Sequence, residues 1–488
     1  VEDGGLPVTP QTLFRIGSTT KPLTGTAIIR LVEAGKLNLD EPIKTYIDWF
    51  TLQDKRAADR ITLRMLLSHT AGFPPEAEHF GWRNPEGLEA FVRERIVHYQ
   101  LVSPAGKVFN YSNPGIALAG YVAEVVSGKH YAELMQELVF EPLQMKRTTF
   151  DPAVAMTYPL AQWHNLSKDK VLSVQHRFAD NTSHYPAGFA MSTVLDVANF
   201  AIMQLNQGSF QGHQLLSPES VRLMHSIQAD LYTVKGTGYG LTFFMEQYKG
   251  VRLVWHDGGI SSFVSKFVLV PEANIAVLML FNRVGLDYEA ITRSILDELL
   301  ELPEKEPDPR TIEPSRALWA GFEGNYVGRW VGLATIKIID EQLLLDLNGE
   351  YIPLQAMNER LYFGHRAEGG SIISVGFPPT REGTTRYIYI DCYALARCTT
   401  PAPALVDPSR WANYAGTYTV TWENTFVVQV RQDKLYIYSE EADEEMLCTP
   451  ISSTRFTTNM GVFDFHVDAV GKATALEYGE LRVFPLKL

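Results

Sequence analysis

"FRIGSTTKPLTGTAIIRLVEAGKL", residues 14–37, places Ser18 three positions before Lys21 at the start of an apolar, periodic segment. Apolar residues recur every three or four positions from Leu23, and Gly35 follows the last of them, which predicts a helix with a glycine cap. Residues at i and i+3 share a helix face, so the Lys21 amine can reach the Ser18 hydroxyl. The pair is therefore a candidate nucleophile and base, although Ser is also a favoured N-terminal helix cap.

Composition describes a soluble globular protein of 488 residues, 45% hydrophobic and 20% charged, with room for about three domains. The net charge of −13 disfavours nucleic acid and anionic membranes as partners, because both reward clusters of Lys and Arg. We also predict no membrane span, since no apolar run approaches the ~20 residues that one requires. The three cysteines form neither a disulfide framework nor a metal-binding pair. We predict no metal or cofactor and lean towards a reducing, cytoplasmic compartment.

Residues 14–301 mix helical and strand patterns. We predict a second helix after Asn113-Pro114 that ends at Gly128, and further helices at 190–206 and 287–301. Three β-rich runs lie at 251–259, 263–271 and 274–282, and the turn signal "PEAN" at 271–274 separates the last two. An antiparallel meander with helices layered on it is the natural reading.

The C-terminal part carries an internal repeat. A Pro-rich, charged linker at 302–315 precedes "PSRALWAGFEGNYVG", which begins at Pro314, and the related "PSRWANYAGTYTV" begins at Pro408, a shift of 408 − 314 = 94. Alternating β-type segments follow each copy, so we predict two small antiparallel barrels. The predicted domains are an α/β domain at 1–303 and two barrels at 310–400 and 404–488.

Two further motifs stand out, each with a purely structural alternative. In "FNYSNPG", Asn113 before Pro114 suits a helix cap, which leaves Tyr111 unexplained. In "WHDGGISSF", residues 255–263, Gly258 and Gly259 end a strand and permit close approach of a ligand, unless they only form a tight turn beside a core His256. The Ser-x-x-Lys spacing alone proves little, because it recurs in the polar stretch at 167–170.

Taken in order, these motifs resemble the penicillin-recognising serine hydrolases, in which Ser-x-x-Lys, Tyr-x-Asn and a basic residue-x-Gly follow one another. The phrases "LLSHTAGFP" at 66–74, "PAGFAMSTVLDVANF" at 186–200 and "GYGLTFF" at 238–244 are also similar to that superfamily. The likeness covers residues 7–301 and points to the class C β-lactamase-like branch, with its esterases, DD-peptidases and D-aminopeptidases. The two β units resemble the lipocalin-like barrels of three-domain D-aminopeptidases.

The resemblance implies a role for each motif residue. Ser18 is the nucleophile, Lys21 and Tyr111 share the proton transfers, and either of the two is the base. Asn113 holds the substrate amide, and the Ser18 and Gly259 N–H groups beside Gly258 form the oxyanion hole. His256 stands where lactamases carry the Lys of Lys-Thr-Gly.

We therefore expect uncharged esters, or amides with a free N-terminal amine, as small-molecule or short-peptide substrates. The alternatives are β-lactamase or DD-carboxypeptidase activity, or an inactive ligand-binding or scaffold protein. A phosphate-binding reading of "GTGYG" at 236–240 is weaker, because no Lys-Ser/Thr follows. A homo-oligomer stays open.

One departure from the family pattern concerns the start of the chain. Members of this superfamily carry a helix and two strands before Ser-x-x-Lys, and almost nothing stands there in this sequence, which opens with Val1. We expect a truncated N-terminus and, as a consequence, an exposed edge or an uncovered face of the sheet.

Overall fold

A computed structural model describes residues 5–485 apart from 76–80, 167–170, 177, 348, 368–369, 381–382, 399–406, 421–423, 441–443, 459–460 and 479–480. The chain forms two compact units: Val1–Asp230 with Lys235–Pro307, and Leu231–Val234 with Asp308–Leu488. The predicted boundary between 400 and 404 lies outside the described residues, and so does the second Ser-x-x-Lys at 167–170. The three predicted domain limits stay a prediction.

Four long helices dominate the first unit. They are α1 (Thr20–Glu33), α2 (Asn113–Ser127), α3 (Val194–Leu205) and α4 (Tyr288–Leu300). Shorter helices span Lys55–Ala58, Leu63–Leu67, Gly87–Glu94, Tyr131–Met135, Pro152–Ala155, Tyr185–Gly188 and Pro218–Met224. The predicted cap of α1 is confirmed, because Gly35 has φ +68° and its N–H donates to Val32 O at 2.9 Å. The helix predicted at 190–206 starts later, since Thr193 caps it by accepting from the Asp196 N–H at 3.1 Å.

The sheet of this unit has six antiparallel strands. They are β1 (Ala229–Asp230), β2 (Gly238–Tyr239), β3 (Phe244–Tyr248), β4 (Val251–Ile260), β5 (Phe263–Val270) and β6 (Ile275–Phe281). They lie in the order β6-β5-β4-β3-β2-β1, so the predicted meander is confirmed. Short strand pairs also join Phe14–Arg15 to Met191–Ser192, Trp163–Leu166 to Leu172–Gln175, and Ser209–Phe210 to His213–Gln214.

Helices cover both faces of the sheet, which confirms the predicted layering and shows that the expectation of an uncovered face is wrong. On one face Val254 and Phe267 are buried in the main core, which includes Ile28 of α1. On the other face Leu253 and Val268 pack with Leu296 of α4. Successive residues of β4 thus face opposite layers, which is the two-residue period of a strand buried on both sides. Within the described residues, no helix combines the length and apolarity that crossing a bilayer requires.

The second unit is built from two sheets of nine antiparallel strands. The first comprises β7 (Gly324–Gly328), β8 (Gly332–Ile339), β9 (Gln342–Leu347), β10 (Glu350–Pro353), β11 (Gln355–Ala356), β12 (Leu361–His365), β13 (Ile372–Gly376), β14 (Tyr387–Ile390) and β15 (Tyr393–Cys398). The second comprises β16 (Gly416–Val420), β17 (Asn424–Arg431), β18 (Lys434–Ser439), β19 (Glu444–Leu447), β20 (Thr449–Pro450), β21 (Arg455–Thr458), β22 (Gly461–Val467), β23 (Ala473–Tyr478) and β24 (Leu481–Pro485).

Both sheets follow one topology, which supports the predicted repeat. The orders are β10-β9-β8-β7-β15-β14-β13-β12-β11 and β19-β18-β17-β16-β24-β23-β22-β21-β20. In each copy a buried Tyr hydroxyl donates at 2.6 Å to a carbonyl four residues earlier, from Tyr326 to Phe322 and from Tyr418 to Tyr414. These tyrosines are 418 − 326 = 92 residues apart, so the shift of 94 holds only for the Pro-Ser-Arg phrase before them.

The first of these sheets is nearly closed into a barrel. Its two edge strands, β10 and β11, are consecutive in the chain and only Leu354 separates them. The sheet therefore curls until its ends meet. Strand β12 approaches β10 so closely that a Cβ at Gly364 would lie 2.8 Å from the Pro353 carbonyl oxygen.

Candidate active site

Ser18 lies in a 3₁₀ turn, Gly17–Thr19, that leads directly into α1. The expectation that Ser18 caps the helix is wrong: the cap position of α1 is Thr19, and no side chain caps either element. The tight turn supplies local bonds instead, since the Thr20 hydroxyl donates to Gly17 O at 2.7 Å. The Ser18 hydroxyl is thus available for chemistry at a half-buried position.

Lys21 is fully buried, with 0% of its surface exposed. Its ammonium nitrogen donates to Ser18 Oγ at 2.9 Å, to Asn113 Oδ1 at 2.8 Å and to Ala187 O at 2.6 Å. Two of these partners, an amide oxygen and a backbone carbonyl, can only accept. Ser18 Oγ can also donate, so a neutral Lys21 would turn its lone pair towards Ser18.

Asn113 is held by its own neighbours in the orientation that serves Lys21. The prediction that Asn113 caps α2 is wrong, because the cap is Ser112, whose Oγ accepts from the Gly115 N–H at 3.1 Å. The Asn113 side-chain amide donates to Pro75 O at 3.0 Å, which directs Oδ1 towards Lys21. Because Ser112 caps the helix, the Asn113 side chain is able to contact Lys21 instead.

Tyr111 brings its ring to the same place from the segment before α2. The Lys21 ammonium nitrogen lies 4.8 Å from the centre of the Tyr111 ring. The ring also lies 4.3 Å from that of His69 and 6.3 Å from that of His256. The structure thus brings Ser18, Lys21, Tyr111 and Asn113 together.

The backbone of β4 passes against the turn that carries Ser18. A Cβ at Gly258 would lie 2.7 Å from the Ser18 nitrogen, and a Cβ at Gly17, where φ is +47°, would lie 2.7 Å from the Gly259 nitrogen. Both distances are below those of real contacts, so only glycine permits this approach. The Ser18 and Gly259 amides are therefore neighbours. Ser265 of β5 also stabilises the turn that carries Ser18, because its hydroxyl donates to Ile16 O at 2.7 Å.

These glycines allow a matched test. We expect Gly258→Ala to lower kcat by about 10²-fold, because its methyl group would push β4 away from Ser18 and misplace the Gly259 N–H, which is an expected oxyanion donor. Gly259→Ala should cost much less, since a Cβ there meets no atom within 4 Å and the N–H is retained. Steady-state kinetics on an activated ester, with circular dichroism to confirm folding, would check both. Equal losses for the two variants would contradict this account of the strand.

His256 offers no cation to the site. It is 1% exposed, and burial with the nearby charge of Lys21 lowers its pKa to about 3. Its Nδ1 lies 2.6 Å from its neighbour's carbonyl, Asp257 O, and therefore donates; its Nε2 lies 3.1 Å from the Tyr239 hydroxyl and accepts. Both nitrogens of the neutral ring are engaged.

Asp257 points to the other side of the sheet. Its carboxyl shares a cavity of about 470 Å³ with Trp255, Lys266 and Tyr288, whereas His256 faces Tyr239. Burial raises the Asp257 pKa, and Lys266 opposes that shift. A substrate carboxylate beside Ser18 would therefore not face the Asp257 carboxyl.

Three partners in this site escaped the sequence reasoning. They are the Ala187 carbonyl, the Ser265 hydroxyl and the His69 side chain. Ala187 and His69 fall within the phrases "PAGFAM" and "LLSHTAGFP" that carry the resemblance, which was the available signal. Ser265 had none, because a serine within a strand is unremarkable.

Several known proteins are similar to this chain. The beta-lactamase family profile matches residues 1–300. Penicillin-binding protein 4 of Amycolatopsis lactamdurans is 28% identical over 326 residues, which cover 64% of this chain and 85% of that protein. Unguisins hydrolase of Aspergillus campestris is 30% identical over 291 residues, covering 56% of this chain and 53% of that protein. The chain thus spans about half the length of the second relative.

Among solved structures, the octameric penicillin-binding protein homologue from Pyrococcus abyssi superimposes with a TM-score of 0.54. The two sequences are 26% identical, and the alignment covers 80% of this chain and 90% of that one.

Proposed function

The chain belongs to the beta-lactamase family, and from that premise we propose that it is a serine hydrolase which acts through an acyl-enzyme. One observation carries the proposal. The Lys21 nitrogen lies 2.9 Å from Ser18 Oγ, while its other two acceptors are groups that cannot give up a proton.

In the proposed first step, Ser18 Oγ attacks a substrate carbonyl carbon. The neutral Lys21 amine takes the hydroxyl proton and becomes an ammonium, whose three protons then have acceptors already in place. The carbonyl oxygen becomes an oxyanion beside the Ser18 and Gly259 N–H groups. Lys21 is thus the base that the geometry favours.

The intermediate then collapses, and the leaving amine or alcohol needs a proton. Tyr111 lies over Lys21 and is the residue that we propose to deliver it, with Lys21 resupplying the phenol. Water attacks the acyl-Ser18 ester in the second half, and the same groups act in reverse order.

Covalent labelling tests the proposal directly. A fluorophosphonate probe should label the full chain once, and peptide mapping should place the adduct on Ser18. Labelling at another residue, or no labelling combined with no hydrolysis of any ester or amide tried, would favour the alternative of a non-catalytic binding or scaffold protein.

The neutral state of the His256 ring supports uncharged substrates. We propose small esters, or peptide amides with a free N-terminal amine, over penicillins and peptides with a free C-terminus. A β-lactam or a C-terminal D-amino acid presents a carboxylate, and His256 supplies neither a charge nor a free N–H for it.

Paired substrates with a free or a blocked carboxylate provide the test. We expect kcat/KM to favour the blocked member by about 10-fold, because the free carboxylate loses water on binding and gains no charged partner from His256 in return. The ratio should stay constant from pH 5 to pH 8, because a group whose pKa is about 3 remains neutral over that interval. A preference for the free carboxylate would put β-lactamase or DD-carboxypeptidase activity first.

Assembly is a separate question. Because the Pyrococcus abyssi homologue is octameric, we propose a homo-oligomer for this chain as well. Sedimentation velocity on the full chain would decide, and a monomer at micromolar concentration would contradict the proposal.

A further inference from the structure

His69 contacts both the main chain on either side of Tyr111 and the Tyr111 ring. It follows the helix Leu63–Leu67 by two residues and is buried, with 1% of its surface exposed. Its backbone φ of +56° lies in the left-handed region, which residues other than glycine rarely adopt. Such strain persists where the surrounding structure enforces it, and it often marks functional sites.

His69 accepts two hydrogen bonds, one from each residue that flanks Tyr111 in the chain. The Asn110 N–H donates to the His69 carbonyl oxygen at 2.7 Å, and the Ser112 N–H donates to His69 Nδ1 at 3.0 Å. The backbone is therefore fixed on both sides of residue 111 by a single neighbour.

The His69 ring fixes the side chain of Tyr111 as well. The two rings lie 4.3 Å apart at an angle of 38°, and Tyr239 packs against His69 at 4.9 Å. The Tyr239 hydroxyl in turn donates a hydrogen bond to His256 Nε2. A packed row of rings thus runs from Tyr111 to His256.

The tautomer of His69 follows from its acceptor role. Nδ1 receives the Ser112 N–H, so the ring proton sits on Nε2, which has no hydrogen-bond partner among the described residues. Burial, together with the nearby charge of Lys21, holds the pKa of His69 well below its usual value. The neutral His69 ring therefore contributes Nδ1 as an acceptor for the Ser112 N–H and its face as a packing surface for Tyr111.

We propose that His69 is a positioning residue that sets the place of Tyr111 against Lys21 and Ser18. The inference rests on the proposed function, in which Tyr111 transfers a proton. His69 does not touch the reacting atoms and acts through the main chain and ring of Tyr111.

Substitutions separate the two contributions of His69. His69→Phe keeps a ring but leaves the Ser112 N–H without an acceptor, and we expect kcat to fall by about 10²-fold with KM changed less than about threefold. In His69→Asn the side-chain oxygen can accept from Ser112, and Asn tolerates a positive φ. It should recover about tenfold of the lost kcat, whereas a role in packing alone would make it the worse variant.

His225→Phe is the matched control. His225 is also buried and neutral, its Nε2 also lacks a partner among the described residues, and its ring packs edge-on against Phe243 at 4.8 Å. We expect its kcat to stay within about twofold of the parent, since it contacts none of the proposed site residues. If His69→Phe does not fold, His69→Gly takes its place, because glycine accepts the φ without strain.

A crystal structure of the folded variant keeps this test independent of activity. We expect the Tyr111 ring to leave its position 4.8 Å from the Lys21 nitrogen in His69→Phe or His69→Gly, and to keep it in His69→Asn. An unmoved Tyr111, or a parental kcat in the variant without the acceptor, overturns the positioning role. Failure of the parent chain to label at Ser18 would instead count against the proposed function.

Discussion

Replacing Ser18 with alanine should abolish turnover, with kcat lower by at least ~10⁴-fold, as expected when a nucleophilic serine is lost. Fold stability should hardly change. The Ser18 hydroxyl caps no helix, so the cost of about 1 kcal/mol for a lost cap does not arise. Hydrolysis of a p-nitrophenyl ester and thermal unfolding of the same preparation would measure both effects.

Ser167 provides the control for this experiment. It repeats the Ser-x-x-Lys spacing with Lys170 but stands in a polar stretch, so Ser167→Ala should be silent. Ester hydrolysis that persists in Ser18→Ala, after a contaminating esterase is excluded, would remove Ser18 from the mechanism.

Lys21→Arg should also lose most of its activity, with kcat lower by at least ~10². A guanidinium cannot lose its proton near neutral pH, so it cannot accept one from Ser18. It is also larger than the ammonium, and the three acceptors around Lys21 lie only 2.6–2.9 Å from its nitrogen. The loss should appear in the rate of acylation, which single-turnover labelling at Ser18 measures.

A second variant and a control make the Lys21 result interpretable. Lys21→Met removes the proposed base and its hydrogen bonds to Asn113 Oδ1 and Ala187 O, at a cost of about 1–3 kcal/mol for each buried bond lost. Its folding therefore needs checking by circular dichroism. Lys36→Arg, at an exposed position after α1, should behave as the parent. A nearly full-rate Lys21→Arg enzyme would return Lys21 to a structural role.

The sequence predicted the contact between Ser18 and Lys21. Ser18 and Lys21 are three residues apart, so helical geometry alone brings them together. Asn113 lies 92 residues from Lys21, and only the resemblance placed it there. No sequence pattern predicts a backbone acceptor such as Ala187 O, because any residue can supply a carbonyl oxygen.

The wrong assignments have local physical causes. Ser112 and Asn113 are both good capping residues, and their order does not reveal which one the turn selects. The strand predicted at 251–259 ends one residue later, at Ile260, and the turn that follows falls on Ser261 and Ser262, with φ of +45° and +60°. Serine rarely adopts such angles, so the residue types did not mark this turn.

A sheet whose ends meet has a consequence for aggregation. Exposed edge strands offer unpaired N–H and C=O groups to which another chain can add a strand. In the first barrel the edges β10 and β11 turn towards each other, and the Leu354 N–H between them already donates to Leu343 O at 2.9 Å. Partly unfolded neighbours would therefore find little main-chain template along these described strands, and recognition there must rely on side chains.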